Sequence, residues 1–271
     1  MNLTDIPIGI STWYLGEDRR KRNSEIAAIR RGLDLGLRVV DTAEMYGSGA
    51  SEELVGEAIA GRRDDVFLVS KVLPSNASAS GVRRALEASL YRLNTDRLDL
   101  YLYHWRGHHR LEETVEALQA AVDDGLIGAW GVSNFDPADM DDLADLGATP
   151  ATNQILYNLL RRGPEYDLLP LMRERGVELM AYSPLEQGRL FQGQAGKLLS
   201  EIAAEAGTTP AALALAWAVR EPGSIAIPRT SSPERMEENA SALQVTLTPE
   251  ILRDLDEVFT PPSGPRPLEI L

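Results

Sequence analysis

The run Val66-Phe67-Leu68-Val69-Ser70-Lys71 is apolar for four residues, is built from side chains that favour strands, and ends on an ammonium. The amphipathic pattern Ala79–Arg92 follows it, and then a second strand-like run, Leu98–His104, which ends on an imidazole. Strand, helix and strand in that order make a unit whose two strands pair in parallel through a right-handed crossover. The unit repeats in both directions. Further strands read at Ile6–Ser11, Leu37–Asp41, Ile127–Val132, Ala151–Ile155, Val177–Tyr182 and Ser224–Ile227, with helices at Ser24–Leu35, Ser51–Ala60, Leu111–Asp124, Pro137–Leu146, Pro164–Arg175, Pro210–Val219 and Pro233–Ala242. Eight strand–helix units match a closed (β/α)8 TIM barrel, which typically takes ~250 residues. A doubly wound sheet is the alternative, weakened because no Gly-x-Gly-x-x-Gly follows the first strand. Lys197–Ala206 and Pro249–Phe259 read as two extra helices, and the proline-rich tail of about 260–271 as an irregular cover. One domain over residues 1–271 is expected.

Helix ends are legible as well. Asp136-Pro137, Thr209-Pro210 and Ser232-Pro233 each place a capping side chain before a proline at the first helical position. Gly36 and Gly125 provide left-handed stops.

The composition excludes several function classes. A net charge of −14 argues against nucleic acid as a partner, and no apolar run reaches the ~20 residues of a membrane helix. With no cysteine there is neither a disulfide nor a thiolate metal site. The first five residues lack the pattern of a signal peptide, so a cytoplasmic protein is expected.

Three lysines against 24 arginines make the strand-end Lys71 conspicuous. An ammonium is a compact charge able to act on a neighbour's proton, whereas a guanidinium is a broad and permanently charged fork. Asp41 ends the second strand, His104 the fourth, and Tyr46 lies in the turn Met45-Tyr46-Gly47-Ser48-Gly49. In a barrel the C-terminal strand ends carry function. Each residue alone has a structural explanation, as an ion pair, a core histidine or a packing tyrosine. Four of them in order at adjacent strand ends point to catalysis. One His and one Asp leave too few ligands for zinc, so no metal is expected.

These residues carry a resemblance. Asp41-Thr42-Ala43-Glu44-Met45-Tyr46-Gly47, Ser70-Lys71-Val72, Tyr103-His104-Trp105, Gly131-Val132-Ser133-Asn134-Phe135, Ala181-Tyr182-Ser183-Pro184-Leu185 and Ile227-Pro228-Arg229-Thr230 together resemble the aldo-keto reductase family over essentially the whole chain. The short loops and the Thr12-Trp13-Tyr14 opening are similar to bacterial members that reduce methylglyoxal and other small aldehydes. The resemblance implies Tyr46 as the acid, Lys71 as the cation that lowers its pKa, Asp41 as the anchor of Lys71, and a neutral His104 orienting the carbonyl. An ammonium ~4 Å away interacts by roughly 4 kcal/mol at an effective dielectric of about 20, so even half of it lowers the tyrosine by about one to two units.

The same resemblance implies NADPH as cofactor. Ser133, Asn134 and Gln154 would bind its carboxamide, Tyr182 would stack on the ring, and Ser183 and Leu185 would also bind the cofactor. Arg229, Thr230, Ser231 and Arg235 would take the 2′-phosphate, with Glu238 and Asn239 at the adenine. Arg229 stands where the family usually has Lys; both neutralise a phosphate. Trp13 and Trp105 would wall an open substrate pocket. Arg106-Gly107-His108-His109-Arg110 departs from the family pattern and suggests either a preference for anionic substrates or a solvated loop. The expected protein is a monomeric NADPH-dependent carbonyl reductase. The alternatives are a nicotinamide-binding regulatory or sensor protein on the same barrel, or an enzyme working mainly as an alcohol or sugar dehydrogenase.

Overall fold

A computed structural model describes residues 7–271. Eight strands, β1 (Ile10–Ser11), β2 (Val39–Asp41), β3 (Phe67–Val72), β4 (Leu98–Tyr103), β5 (Ile127–Ser133), β6 (Thr152–Leu156), β7 (Glu178–Tyr182) and β8 (Ser224–Ile227), pair in parallel in sequence order. Bridges from Ile8 to Ala226 and from Ser11 to Arg229 close the ring between β1 and β8. The expected first strand is thereby shortened. Ile8 pairs toward β8 alone, Gly9 sits where a Cβ would come within 2.9 Å of the Val39 Cβ, and Ile6 lies outside the described residues.

Alternation along the strands sets the layers. Val39, Val69, Leu100, Leu102, Met180, Ile225 and Ile227 fill the barrel interior. Two residues further along, on the same face, stand Asp41 after Val39, Lys71 after Val69 and His104 after Leu102. The reactive groups are thus the next inward layer above an apolar floor. The opposite strand faces pack against the helices in the larger outer core.

That outer layer is formed by α1 (Arg22–Asp34), α2 (Ala50–Ala58), α3 (Ala79–Leu93), α4 (Leu111–Asp123), α5 (Pro137–Asp145), α6 (Leu168–Glu174), α7 (Gly193–Glu205), α8 (Pro210–Ala218), α9 (Pro233–Ser241) and α10 (Pro249–Val258). The predicted caps are in place: Asp136, Thr209 and Ser232 accept from the N–H of Asp139, Ala212 and Arg235. Gly36 and Gly125 sit at φ +88° and +72°. Thr248 caps α10 in the same way. Helix α6 begins four residues later than expected. Gly163–Glu165 forms a separate 3-10 turn, because the Glu165 carboxylate is held by Arg162 and Tyr157, and Asp167 caps the helix proper. Helix α7 begins earlier, at Gly193, and the tail after Thr260 has no regular structure.

Candidate active site

Strand β2 delivers Asp41 to the barrel mouth, and the chain then turns sharply. Gly47 and Ser48 both adopt φ +54°, the second a costly value for a residue with a Cβ. This reversal carries the Tyr46 ring back over the strand ends. From β3 the Lys71 ammonium, fully buried, bonds Asp41 (2.8 Å), the Thr42 carbonyl (2.8 Å) and the Tyr46 hydroxyl (3.0 Å). Three protons thus meet three acceptors. His104 lies across from Tyr46, its ring edge-on at 6.0 Å between centroids. Its Nδ1 is buried without a hydrogen-bond partner among the described residues. Sequence order and burial together bring all four predicted residues to one place.

The electrostatics correct one expectation. Burial, and after it the Asp41 charge, holds the Tyr46 hydroxyl well above its ordinary value, rather than one to two units below it. The reason is that Asp41 accompanies Lys71. The pair brings almost no net charge to the phenol, and desolvation then decides. Burial also pushes Asp41 up and Lys71 down, each opposed by the other's charge. Burial, with the Lys71 ammonium second, keeps His104 well below its usual value and therefore neutral. In the free protein Tyr46 is thus a firmly protonated donor.

Behind this layer lie groups that the sequence reading missed. Glu52, fully buried on α2, accepts from Ser70 (2.6 Å) and Arg92 (2.6 Å) and so pins the outer face of β3 beside Lys71. Glu44 accepts from the Leu73 N–H (2.6 Å) and ties the Tyr46 turn to the loop after β3. Asn153 on β6 donates to the Phe135 carbonyl (2.8 Å) and holds the segment after β5. Glu44 and Glu52 stand among polar neighbours and carry no local signal, because the partners that give them their roles lie on other segments of the chain.

A cavity of about 640 Å³ opens above the reactive layer. Tyr46 and His104 form its floor, while Asp41 and Lys71 stay behind Tyr46 and off its wall. Ser133, Asn134 and Gln154 line one side. The Ser133 hydroxyl donates to the Gln154 carbonyl (2.8 Å), and Asn134, at φ +58°, accepts from the Tyr182 hydroxyl (3.1 Å). Ser183, at φ +47°, and Leu185 continue that wall. Arg229, Thr230, Arg235, Glu238 and Asn239 form the far end, and Ser231 is not on the wall. Trp13, stacked on Tyr14 at 4.6 Å, and Trp105 stand on the substrate side, joined by Met45 and Phe191, which sequence reasoning did not select.

Of the two readings of the 106–110 loop the structure fits the solvated one, and the expected open pocket fails. None of residues 106–110 reaches the cavity, since Arg106 leans toward Asp142 (3.4 Å) and Arg110 pairs with Glu112. Nor does the tail leave the pocket wide open. Arg161 pairs with Glu269, and Ile270 and Leu271 lie on the rim, with the Leu271 N–H at 3.4 Å from the Tyr182 hydroxyl.

The far end suits a phosphorylated dinucleotide. Seventeen of the 24 arginines form ion pairs, yet Arg229 and Arg235 are exposed beside the N-terminus of α9 and form none among the described residues. Guanidinium groups and a helix N-terminus are phosphate ligands by chemistry. The Gln154 side-chain oxygen, which has no hydrogen bond among the described residues, and the Tyr182 ring offer the acceptor and the flat surface that a nicotinamide carboxamide can use.

A sequence model of the aldo/keto reductase family matches residues 6–259. The methylglyoxal reductase YeaE of Escherichia coli is 47% identical over 268 residues, covering 97% of this chain and 94% of that protein. An aldo/keto reductase from Klebsiella pneumoniae, solved in complex with NADP and acetate, superposes with a TM-score of 0.93 at 47% identity, covering 98% and 95% of the two chains. A glycerol dehydrogenase from Gluconobacter oxydans is similar at 25% identity, with a TM-score of 0.86 and coverage of 98% and 95%.

Proposed function

The chain belongs to the aldo/keto reductase family and is an NADPH-dependent oxidoreductase acting on carbonyl groups; within that activity we propose that it reduces small aldehydes and α-oxoaldehydes, methylglyoxal among them, with Tyr46 as the general acid. The observation that carries this reading is the state of the Tyr46 hydroxyl. Its oxygen accepts from Lys71, that is its one hydrogen bond among the described residues, and its own proton is left beside the cavity.

When bound, NADPH would supply the hydride that the carbonyl carbon takes up, with Tyr182 offering an aromatic face to its ring. The residues do the rest. Ser133, Asn134 and Gln154 would hold the carboxamide, and the guanidinium groups of Arg229 and Arg235, with Thr230, would hold the 2′-phosphate. Glu238 and Asn239, on the same wall, would face the adenine. A neutral His104 and the Tyr46 hydroxyl direct the carbonyl oxygen. As charge builds on that oxygen the Tyr46 proton transfers to it, and the Lys71 ammonium 3.0 Å away stabilises the phenolate left behind. Asp41 keeps Lys71 charged and fixed. Trp13, Trp105, Met45 and Phe191 present apolar walls that exclude water from the reacting atoms.

In the same reading the protein is a cytoplasmic monomer with one barrel domain over residues 1–271 and no nucleic-acid partner, supported by its net charge of −14. No described helix is long and apolar enough to cross a membrane. The test is NADPH oxidation followed by absorbance, with methylglyoxal and an aromatic aldehyde as substrates. Turnover by the wild type and its loss in Tyr46→Phe with NADPH affinity kept is the expected result. Tight NADPH binding with no turnover on a wide carbonyl panel would replace this reading with the sensor, and turnover only of alcohols with NADP would replace it with the dehydrogenase.

A further inference from the structure

Gln154 occupies an unusual position between the two halves of the site. Its side-chain nitrogen donates to Asp41 Oδ1 at 2.8 Å and touches the Met180 sulfur, so both amide protons are spent inside the barrel. Its side-chain oxygen makes no hydrogen bond among the described residues, and Gln154 lines the cavity. An ionised carboxylate only accepts, so Asp41 dictates which way the amide faces: nitrogen inward, oxygen toward the cavity. The main chain of the same residue sets its neighbours, because its carbonyl accepts from the Ser133 hydroxyl (2.8 Å) and from the Asn134 N–H (2.9 Å). A continuous chain of hydrogen bonds therefore runs from the nicotinamide wall to the acid. It passes from Tyr182 to Asn134, to Ser133, to Gln154, to Asp41, to Lys71, and ends on the Tyr46 hydroxyl.

We propose that Gln154 is a positioning residue that couples cofactor binding to the proton donor: Asp41 fixes its amide with the oxygen offered to the carboxamide, and its amide nitrogen in return holds Asp41 as the anion that keeps Lys71 charged. The inference rests on the reading of this wall as the carboxamide site. It follows that Asp41 and Lys71, which do not line the cavity, help to determine NADPH affinity. It also follows that Gln154, besides binding cofactor, sets the rate at saturating cofactor. Coupling of this kind is reciprocal, so a change at either end is felt at the other.

The experiment is a double-mutant cycle on the NADPH dissociation constant, read by fluorescence titration and independent of turnover. Removing Asp41 alone leaves Lys71 as a buried unpaired charge and risks unfolding. The cycle therefore uses the neutral pair D41L/K71M, together with Q154M and the triple variant, each checked by thermal melting. The neutral pair is expected to bind NADPH about tenfold more weakly and Q154M likewise, as one lost hydrogen bond of good geometry gives. The triple variant should be no weaker than either, because the same link is broken only once. Q154M at saturating NADPH should also lose kcat, which a purely cofactor-binding or structural role would leave intact. NADPH affinity unchanged in the neutral pair, or losses that multiply to about a hundredfold in the triple variant, overturn the coupling while leaving the carboxamide site standing. A wild-type protein that does not bind NADPH overturns the cofactor reading itself, and this inference with it.

Discussion

Two regions of this barrel bury charge around a tyrosine, and they do opposite things with it. On the outer side, Tyr157 donates to Glu165 (2.8 Å) and accepts from Arg220 (2.8 Å). Arg162 forks onto Glu165 and reaches Asp256, and the two guanidinium groups sit against Trp217, Arg220 at 4.0 Å and Arg162 at 5.0 Å from the ring centroid. Every polar function there is spent on another, and the assembly braces the 3-10 turn and α10 against α8. At the mouth, Tyr46 also takes a hydrogen bond from a buried cation beside a buried carboxylate, and burial raises both tyrosines above their ordinary value. Buried charge and a shifted tyrosine therefore do not mark a reactive site. What distinguishes Tyr46 is an unspent proton facing a cavity, next to a histidine ring whose Nδ1 is unpaired.

The largest expected effect tests that distinction directly. Tyr46→Phe should lower kcat for aldehyde reduction by about 10²–10⁴-fold, the usual weight of a positioned general acid, with little change in melting temperature. Tyr157→Phe should leave kcat alone and cost about 1–3 kcal/mol of stability, because Glu165 and Arg220 each lose a buried partner. Steady-state kinetics and thermal melting on the same two variants give four numbers. A kcat loss shared by both would erase the distinction drawn here.

The cations come next. Arg162→Leu removes the hub of the brace, leaving Glu165 Oε2 and the Phe259 carbonyl without the partner they have here, so about 3 kcal/mol of stability should go, with NADPH affinity and kcat unchanged. Lys71→Met strands Asp41, which has no exposure at all, and should cost comparable stability while also abolishing turnover. Chemical denaturation of both variants, paired with NADPH titration, tells a brace from a site. Arg162→Leu affecting catalysis would mean that the two regions are not separate.

How much of this was legible in sequence depended on distance along the chain and on depth. The strands announced themselves as apolar runs, and Asp41, Lys71 and His104 followed from their place at strand ends. The caps at Asp136, Thr209 and Ser232 were readable because a cap is a local bargain between a side chain and an N–H three residues on. The Gln154–Asp41 bond spans 113 residues and leaves no local trace. Depth was equally hidden. A Lys71 next to Tyr46 suggested a lowered phenol pKa, and only the full burial of the Asp41–Lys71 pair shows why burial wins instead. Ultraviolet difference titration of the cofactor-free protein, wild type minus Tyr46→Phe, should accordingly show no phenolate below the ordinary value near ~10. A signal one to two units lower would restore the sequence-based expectation. The arginines at 106 and 110 left two readings open for a related reason: charge in a mouth loop says nothing about the direction in which the side chain turns.

The smallest expected effect separates the regions by pH. His104 is neutral in the fold because burial, reinforced by Lys71, lowers its pKa well below the ordinary ~6.5 of the unfolded chain. Between those two values the unfolded chain holds a proton that the folded chain does not. Stability therefore falls as pH drops below ~6.5, by up to roughly 1.4 kcal/mol per unit, and is unaffected by this group above it. The brace around Tyr157 and Glu165 contains no histidine. His104→Gln should consequently lose less melting temperature than the wild type between neutral pH and pH ~5.5, whereas Arg162→Leu should start lower and fall in parallel with the wild type. Parallel curves for His104→Gln would mean that the imidazole already carries its proton in the fold, and with it the developing oxyanion would meet a second cation at the mouth instead of a neutral donor.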